Sequence, residues 1–105
     1  MRKAKPSEII KHDAEINQAA HALKAMAHPL RLKTLCVLGN KELSVQEIVN
    51  AVGTSQSNIS QHLAILRDKG VLHARRDANR VYYRIGDRRT LKLIELMRDV
   101  FCDAD

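Results

Sequence analysis

Two thiols and one run of uncharged polar residues are the parts of this chain best suited to chemistry. Cys36 stands in "RLKTLCVLGN", among Leu35, Val37 and Leu38, and Cys102 stands in "RDVFCDAD". A free thiol among aliphatic residues packs as a small hydrophobe. Two thiols brought together can instead be joined by oxidation or by a metal ion. The residues alone leave both readings open. Reaction requires an accessible thiol with a lowered pKa. Burial among its neighbours would raise that of Cys36. Asp103 and Asp105 disfavour a thiolate at Cys102, and Arg98, one turn earlier, acts the other way.

The polar run is "SQSNISQHLAILR". On a helix it would expose Gln56, Ser57, Asn58, Ser60 and Gln61, whose donors and acceptors can pair with base edges in a major groove. Without charge, these side chains contribute discrimination more than affinity. An ordinary solvated face is the plainer reading, but such a face usually carries Lys or Glu, and none is present here. Ser55, Ser57 and Arg67 suit phosphates, which hydroxyls, guanidinium groups and helix N-termini commonly hold. Downstream, Arg75, Arg76, Arg80 and Arg84 crowd into residues 75–84, with Asn79 among them. A basic ribbon of this kind can grip flanking backbone or insert an arginine into a minor groove.

The rest of the chain must position these groups. A length of 105 residues predicts one domain over 1–105, with 1–7 a flexible basic tail. Lys+Arg 18 against Asp+Glu 12 gives a net charge of +6, which suits a polyanionic partner, nucleic acid before an anionic membrane surface. No apolar run approaches the ~18 residues of a membrane span. "MRKAKP" is followed by polar sequence, not by the apolar core of a signal peptide. A cytoplasmic protein without a membrane partner is expected, in which a cysteine pair is regulatory or metal-binding before it is a structural staple.

With only Phe101, Tyr82 and Tyr83 as aromatics, the core must be aliphatic, and 4 Gly and 2 Pro favour helices. Ser7 can cap a helix from Glu8, with Ile9, Ile16, Ala20, Leu23 and Ala27 as its stripe. Pro29 opens a second helix that Gly39-Asn40 closes. Ser44 and Glu47 form a capping box for a third, with Ile48, Val49 and Val52 inward and Gly53 at its end. Thr54 or Ser55 caps a fourth, with Ile59, Leu63 and Leu66 inward and Gly70 terminal. Two short helices about a Gly-containing turn form a helix-turn-helix candidate. "VLHARR" and "VYYRIG" then read as strands about the turn "DANR", and "DRRTLKLIELMRDVFCDAD" as a last helix.

The fold so predicted is mainly α with a β-hairpin, in the order α-α-α-α-β-β-α, a winged helix-turn-helix. Its first and last helices are apolar over more than one core-facing stripe, which predicts a homodimer through these terminal helices. The alternative is that both helices wrap a monomer core. A dimer would read two half-sites of a palindromic double-stranded operator, about one helical turn apart or a small multiple of that.

"LKAMAHPLRLKTLCVL", "ELSVQEIVNAVGTSQSNISQHLAILRDKGVLHARRDANRVYYRI" and the closing helix together resemble the ArsR/SmtB family of bacterial repressors. The resemblance implies a dimeric winged-helix repressor that leaves its operator when an inducer binds or modifies it. Two metal sites known in that family are not matched. "SVQEIVNAV" holds no Cys-x-Cys, and the last helix offers Asp87 but no histidine. His12, His21, His28, His62 and His73 are scattered without ligand spacing, so no metal and no cofactor is expected.

The two thiols resemble those of the dithiol branch, the BigR-, SqrR- and HlyU-like regulators. That resemblance implies that Cys36 and Cys102 sense reactive sulfur or oxidants, and that bridging them lowers operator affinity. Two alternatives stay open: a metal- or metalloid-responsive repressor using the same thiols with a histidine such as His28, and a constitutive DNA binder without inducer. No nucleophile–base set or phosphate loop appears, so catalysis is not expected.

Overall fold

The computed structural model describes residues 12–102. In chain order these form α1 (Asp13–Met26), α2 (Pro29–Leu38), β1 (Leu43–Ser44), α3 (Val45–Val52), α4 (Gln56–Asp68), β2 (Leu72–Asp77), β3 (Arg80–Ile85) and α5 (Arg88–Phe101). The expected helix start at Glu8, its Ser7 cap, Ile9 and the basic tail lie outside the described residues. Five helices and the hairpin follow the sequence pattern. One element does not. β1 is two residues long, too short to show a period, and it pairs antiparallel with β3 through Leu43↔Tyr83 and Ser44↔Tyr82. The order is therefore α-α-β-α-α-β-β-α, and the hairpin becomes a three-stranded sheet, β1-β3-β2.

Local chemistry sets the helix ends. Pro29 fills the first turn of α2, and the His28 side chain accepts from the Leu30 N–H at 3.1 Å. At α3 the capping box closes in both directions, Glu47 N–H to Ser44 Oγ at 3.2 Å and Ser44 N–H to Glu47 Oε1 at 2.9 Å. Gly53 ends α3 at φ 85°, a left-handed conformation that a Cβ would penalise. Ser55 caps α4 by accepting from the Asn58 N–H at 3.1 Å, and Asp87 caps α5. Among the described residues no helix is long and apolar enough to cross a membrane.

The core is aliphatic, as the composition requires. Leu35 and Leu38 of α2, Ile48 of α3, and Ile59, Leu63 and Leu66 of α4 are almost wholly removed from water, and Leu72 and Ile94 close the cluster. α3 and α4 meet about the Gly53 turn as a helix-turn-helix, and β2 and β3 project beside them as a wing. The terminal helices contribute little to this core. α1 buries Ala25 and Met26, leaving Ile16 and Leu23 exposed. α5 buries Ile94 alone and leaves Leu96, Val100 and Phe101 at 61%, 63% and 79% exposed. Within the described residues, then, α1 and α5 do not wrap a monomer core.

Leu63 is the central knob of α4. Leu63→Ala removes a fully buried side chain and should lower stability by about 2–5 kcal/mol. Urea unfolding at fixed protein concentration checks it through a lower midpoint with an unchanged slope.

Candidate nucleic-acid interface and thiol cavity

α4 buries Ile59, Leu63 and Leu66 on one side and exposes Gln56, Ser57, Ser60, Gln61 and Arg67 on the other. Asn58 differs from its neighbours. It is half-buried, and its Nδ2 donates to Thr54 Oγ1 at 3.1 Å, so its side chain is used in holding the turn. Ser55 accepts the capping bond with its oxygen and keeps its hydroxyl proton free for a phosphate.

The wing tip stands beside this helix. Gln56 at the start of α4, Gln46 and Glu47 of α3, and Asn79 and Arg80 of the wing line one open cleft of about 440 Å³. The Glu47 carboxyl is held below its usual range by the hydrogen bond from the Ser44 backbone, the Ser44 hydroxyl and, more weakly, the Arg80 charge. The hairpin turns through Ala78 and Asn79, with Ala78 at φ 55°. Cross-strand pairs Asp77↔Arg80, Arg75↔Tyr82 and His73↔Arg84 share one face by the alternation of a strand. Tyr83 and Ile85, on the other face, pack on the core. Arg75, Arg80 and Arg84 therefore point outward together, and Arg76, paired with Val81, lies on the opposite side.

Arg75 has a second occupation that the sequence did not suggest. Its Nε and Nη2 donate to Glu42 Oε1 at 3.0 and 2.6 Å, Nη1 lies 3.7 Å from Asp77 Oδ2, and the guanidinium sits 4.9 Å from the Tyr82 ring centroid. Glu42 precedes β1, so the pair reaches over the central strand and clamps the wing to the body. The Arg75 hydrogen bond holds the Glu42 carboxyl below its usual range. Arg76, Arg80 and Arg84 are exposed and appear in none of the ion pairs found among the described residues.

The two thiols lie far along the chain from one another and meet at one cavity. Cys36 is half-buried on α2, and Cys102 is exposed at the C-cap of α5, both free. Together with Ala27, His28, Leu32 and Met97 they line an open, mainly apolar cavity of about 670 Å³. Burial pushes the Cys36 thiol up, the Arg98 charge pulls it down, and Cys102 adds to the rise. Cys36 also borders a cleft of about 470 Å³ carrying Lys41, Glu95 and Arg98. Among the described residues no three His, Cys, Asp or Glu side chains cluster as a metal site. Asp103 and Asp105 lie outside the described residues.

The chain is similar to known proteins over nearly its whole length. The profile of the arsR family of bacterial regulatory proteins matches residues 28–74. The transcriptional activator HlyU of Vibrio cholerae is 37% identical over 98% of this chain and 95% of its own. The chain belongs to the ArsR family. It is a DNA-binding transcription regulator, not an enzyme. The solved structure of the same HlyU superposes with a TM-score of 0.81 at 39% identity, covering 86% of this chain and 98% of that one. The transcriptional repressor BigR of Xylella fastidiosa gives 0.80 at 30%, covering 97% and 100%. The homodimeric winged helix-turn-helix domain of Mb0332 from Mycobacterium bovis gives 0.79 at 30%, covering 98% and 92%. These relatives put the ArsR chain in the BigR- and HlyU-like branch.

Because Glu42 occupies Arg75, Glu42→Ala should free a cation for phosphate. The dependence of DNA affinity on salt should steepen by up to about one unit, measured by anisotropy across a salt series. An unchanged slope would mean that the released guanidinium does not reach the duplex.

Proposed function

We propose that this protein is a homodimeric repressor of a palindromic operator, released when reactive sulfur or another oxidant joins Cys36 to Cys102. The observation that carries the reading is the shared cavity: both thiols of the chain line it, one from α2 and one from the end of α5. A disulfide forms as the two thiols give up two protons and two electrons to the oxidant, and a polysulfide bridge retains added sulfur and tolerates a wider gap. Either bridge ties α5 to α2. Dimerisation through α1 and α5 would cover their exposed apolar side chains, and the homodimeric relative supports that assembly. A tie on α5 would then alter how far apart the two reading helices stand, and half-site spacing is fixed by the DNA. Repression is supported by BigR, itself a transcriptional repressor.

In this reading Gln56, Ser57, Ser60 and Gln61 meet base edges, Ser55 and Arg67 meet phosphate, and Asn79, Arg80 and Arg76 grip flanking backbone. Arg75 and Asn58 serve the same surface by holding the wing and the turn. Arg80→Ala should weaken binding to every duplex alike and lower the salt slope by about one unit. Gln61→Ala should instead reduce discrimination against a wrong base by about 1–3 kcal/mol. Equal effects of both variants on all sequences would remove the reading role from α4.

The inducer is tested by intact mass spectrometry with operator binding, after treatment with polysulfide and, separately, with peroxide. The mass change expected is loss of two hydrogens, with or without added sulfur atoms, together with lost operator affinity. Cys36→Ser and Cys102→Ser should each abolish both changes. Retained affinity in the bridged protein sinks the switch, and a thiolate charge-transfer band on metal titration of the reduced protein, with release of DNA, would replace it by metal sensing.

A further inference from the structure

One cluster of titratable groups lies apart from the outer face of α4 and touches the thiol cavity only through His28. His28 caps α2, Arg31 lies in its first turn, and His62 lies in α4 between Gln61 and the buried Leu63. Arg31 Nη1 is 3.2 Å from His62 Nδ1, and Arg31 Nε donates to the Ala25 carbonyl at the end of α1. The rings of His28 and His62 lie 4.6 Å apart between centroids, tilted by 40°. We propose that Arg31 and His62, with the His28 ring beside them, form an acid-sensitive joint that holds the reading helix α4 in register on α2, so that sequence-specific DNA binding weakens in acid. The proposal rests on α4 being the reading helix and is independent of the thiols.

The hydrogen-bond inventory dictates the protonation states. A guanidinium has donors only, so His62 Nδ1 must accept from it with a lone pair. A backbone N–H is likewise only a donor, so His28 Nδ1 must accept from Leu30. Both contacts need a ring nitrogen without its proton. Protonated, His62 sets an N–H against Arg31.

The apolar contacts of Ile59, Leu63 and Leu66 keep α4 on the core, and the Arg31–His62 contact adds a directional bond to that seat. A small roll of α4 moves Gln61 with His62, because the two are neighbours.

The surroundings supply no relief. The charges acting on His62 are those of Arg31 and His28, and among the described residues no carboxylate faces the cluster. Burial pushes His62 below the ordinary histidine range, and the His28 and Arg31 charges push it further the same way. The sign follows. A depressed histidine favours the folded arrangement above its ordinary value, and that contribution is lost as the pH falls through the lowered one.

Protonating any histidine also raises general attraction to phosphate, so the informative quantity is a ratio. The protein first selects a duplex from a random library at neutral pH. Its affinity for that labelled duplex is then divided by its affinity for a random duplex, from about pH 7.5 to about pH 4.5. The wild-type ratio should fall on the order of ten-fold, the discrimination of about one good base contact. His62→Asn can still accept from Arg31 and cannot titrate, so its ratio should match wild type at the upper pH and stay flat. His62→Leu should show a reduced ratio throughout, and restoration of the ratio by Asn separates positioning from bulk packing. The ring signal of His62 in wild-type protein, followed by NMR, should titrate in the same window and keeps the test decisive if a variant fails to fold. A flat wild-type ratio, a His62→Asn ratio that falls as steeply as wild type, or a ring titrating elsewhere overturns the joint. Failure to select any duplex at neutral pH would instead remove the reading role of α4.

Discussion

Everything this protein does with DNA depends on how one short helix is seated. Ile59, Leu63 and Leu66 sit at spacings of four and three, so a single stripe of α4 enters the core formed by α2 and α3, and the side chains opposite face water. That constraint explains why the residues on the outer face, proposed above to read the groove, can be small and uncharged: their placement comes from the buried stripe, not from contacts of their own. It also explains the Gly53 turn at φ 85°, because α3 must end and α4 begin within a few residues if both are to bury their apolar sides in the same cluster.

Much of this was legible in the sequence because it is local. Ser44 with Glu47, Pro29, Gly53, Ser55 and Gly70 act within a turn or two of themselves, and the periods of the helices and of the hairpin strands can be read from neighbouring residues. What escaped reading is non-local. β1 has two residues and no period, and it exists because Leu43 and Ser44 find Tyr83 and Tyr82 far along the chain. Nothing near Arg75 announces Glu42, and nothing near His62 announces Arg31 or His28. Asn58 and Arg75 had the residue types of a DNA surface, yet their side chains hold the turn and the wing in place.

The thiols illustrate the same division. Burial of Cys36 was readable from Leu35, Val37 and Leu38. Its nearness to Cys102 was not, because the end of α5 returns to α2 only through the fold. The two arrive in an apolar cavity, and Arg98 counteracts part of the burial at Cys36. The surroundings of Cys36 thus oppose its thiolate by burial and support it through the Arg98 charge.

The Glu42–Arg75 clamp reaches beyond the wing's rigidity. Arg75, Arg80 and Arg84 share the outer face of the hairpin, and neutralising Arg75 in the middle of that face leaves unpaired positive charge at its two ends, Arg80 with Arg76 at the tip and Arg84 toward the base. An approaching polyanion then meets two separated centres of charge along the hairpin, not a uniform plate. The clamp in this way sets where the wing's free charges stand, and leaves the hairpin a two-point footprint for any polyanion that meets it.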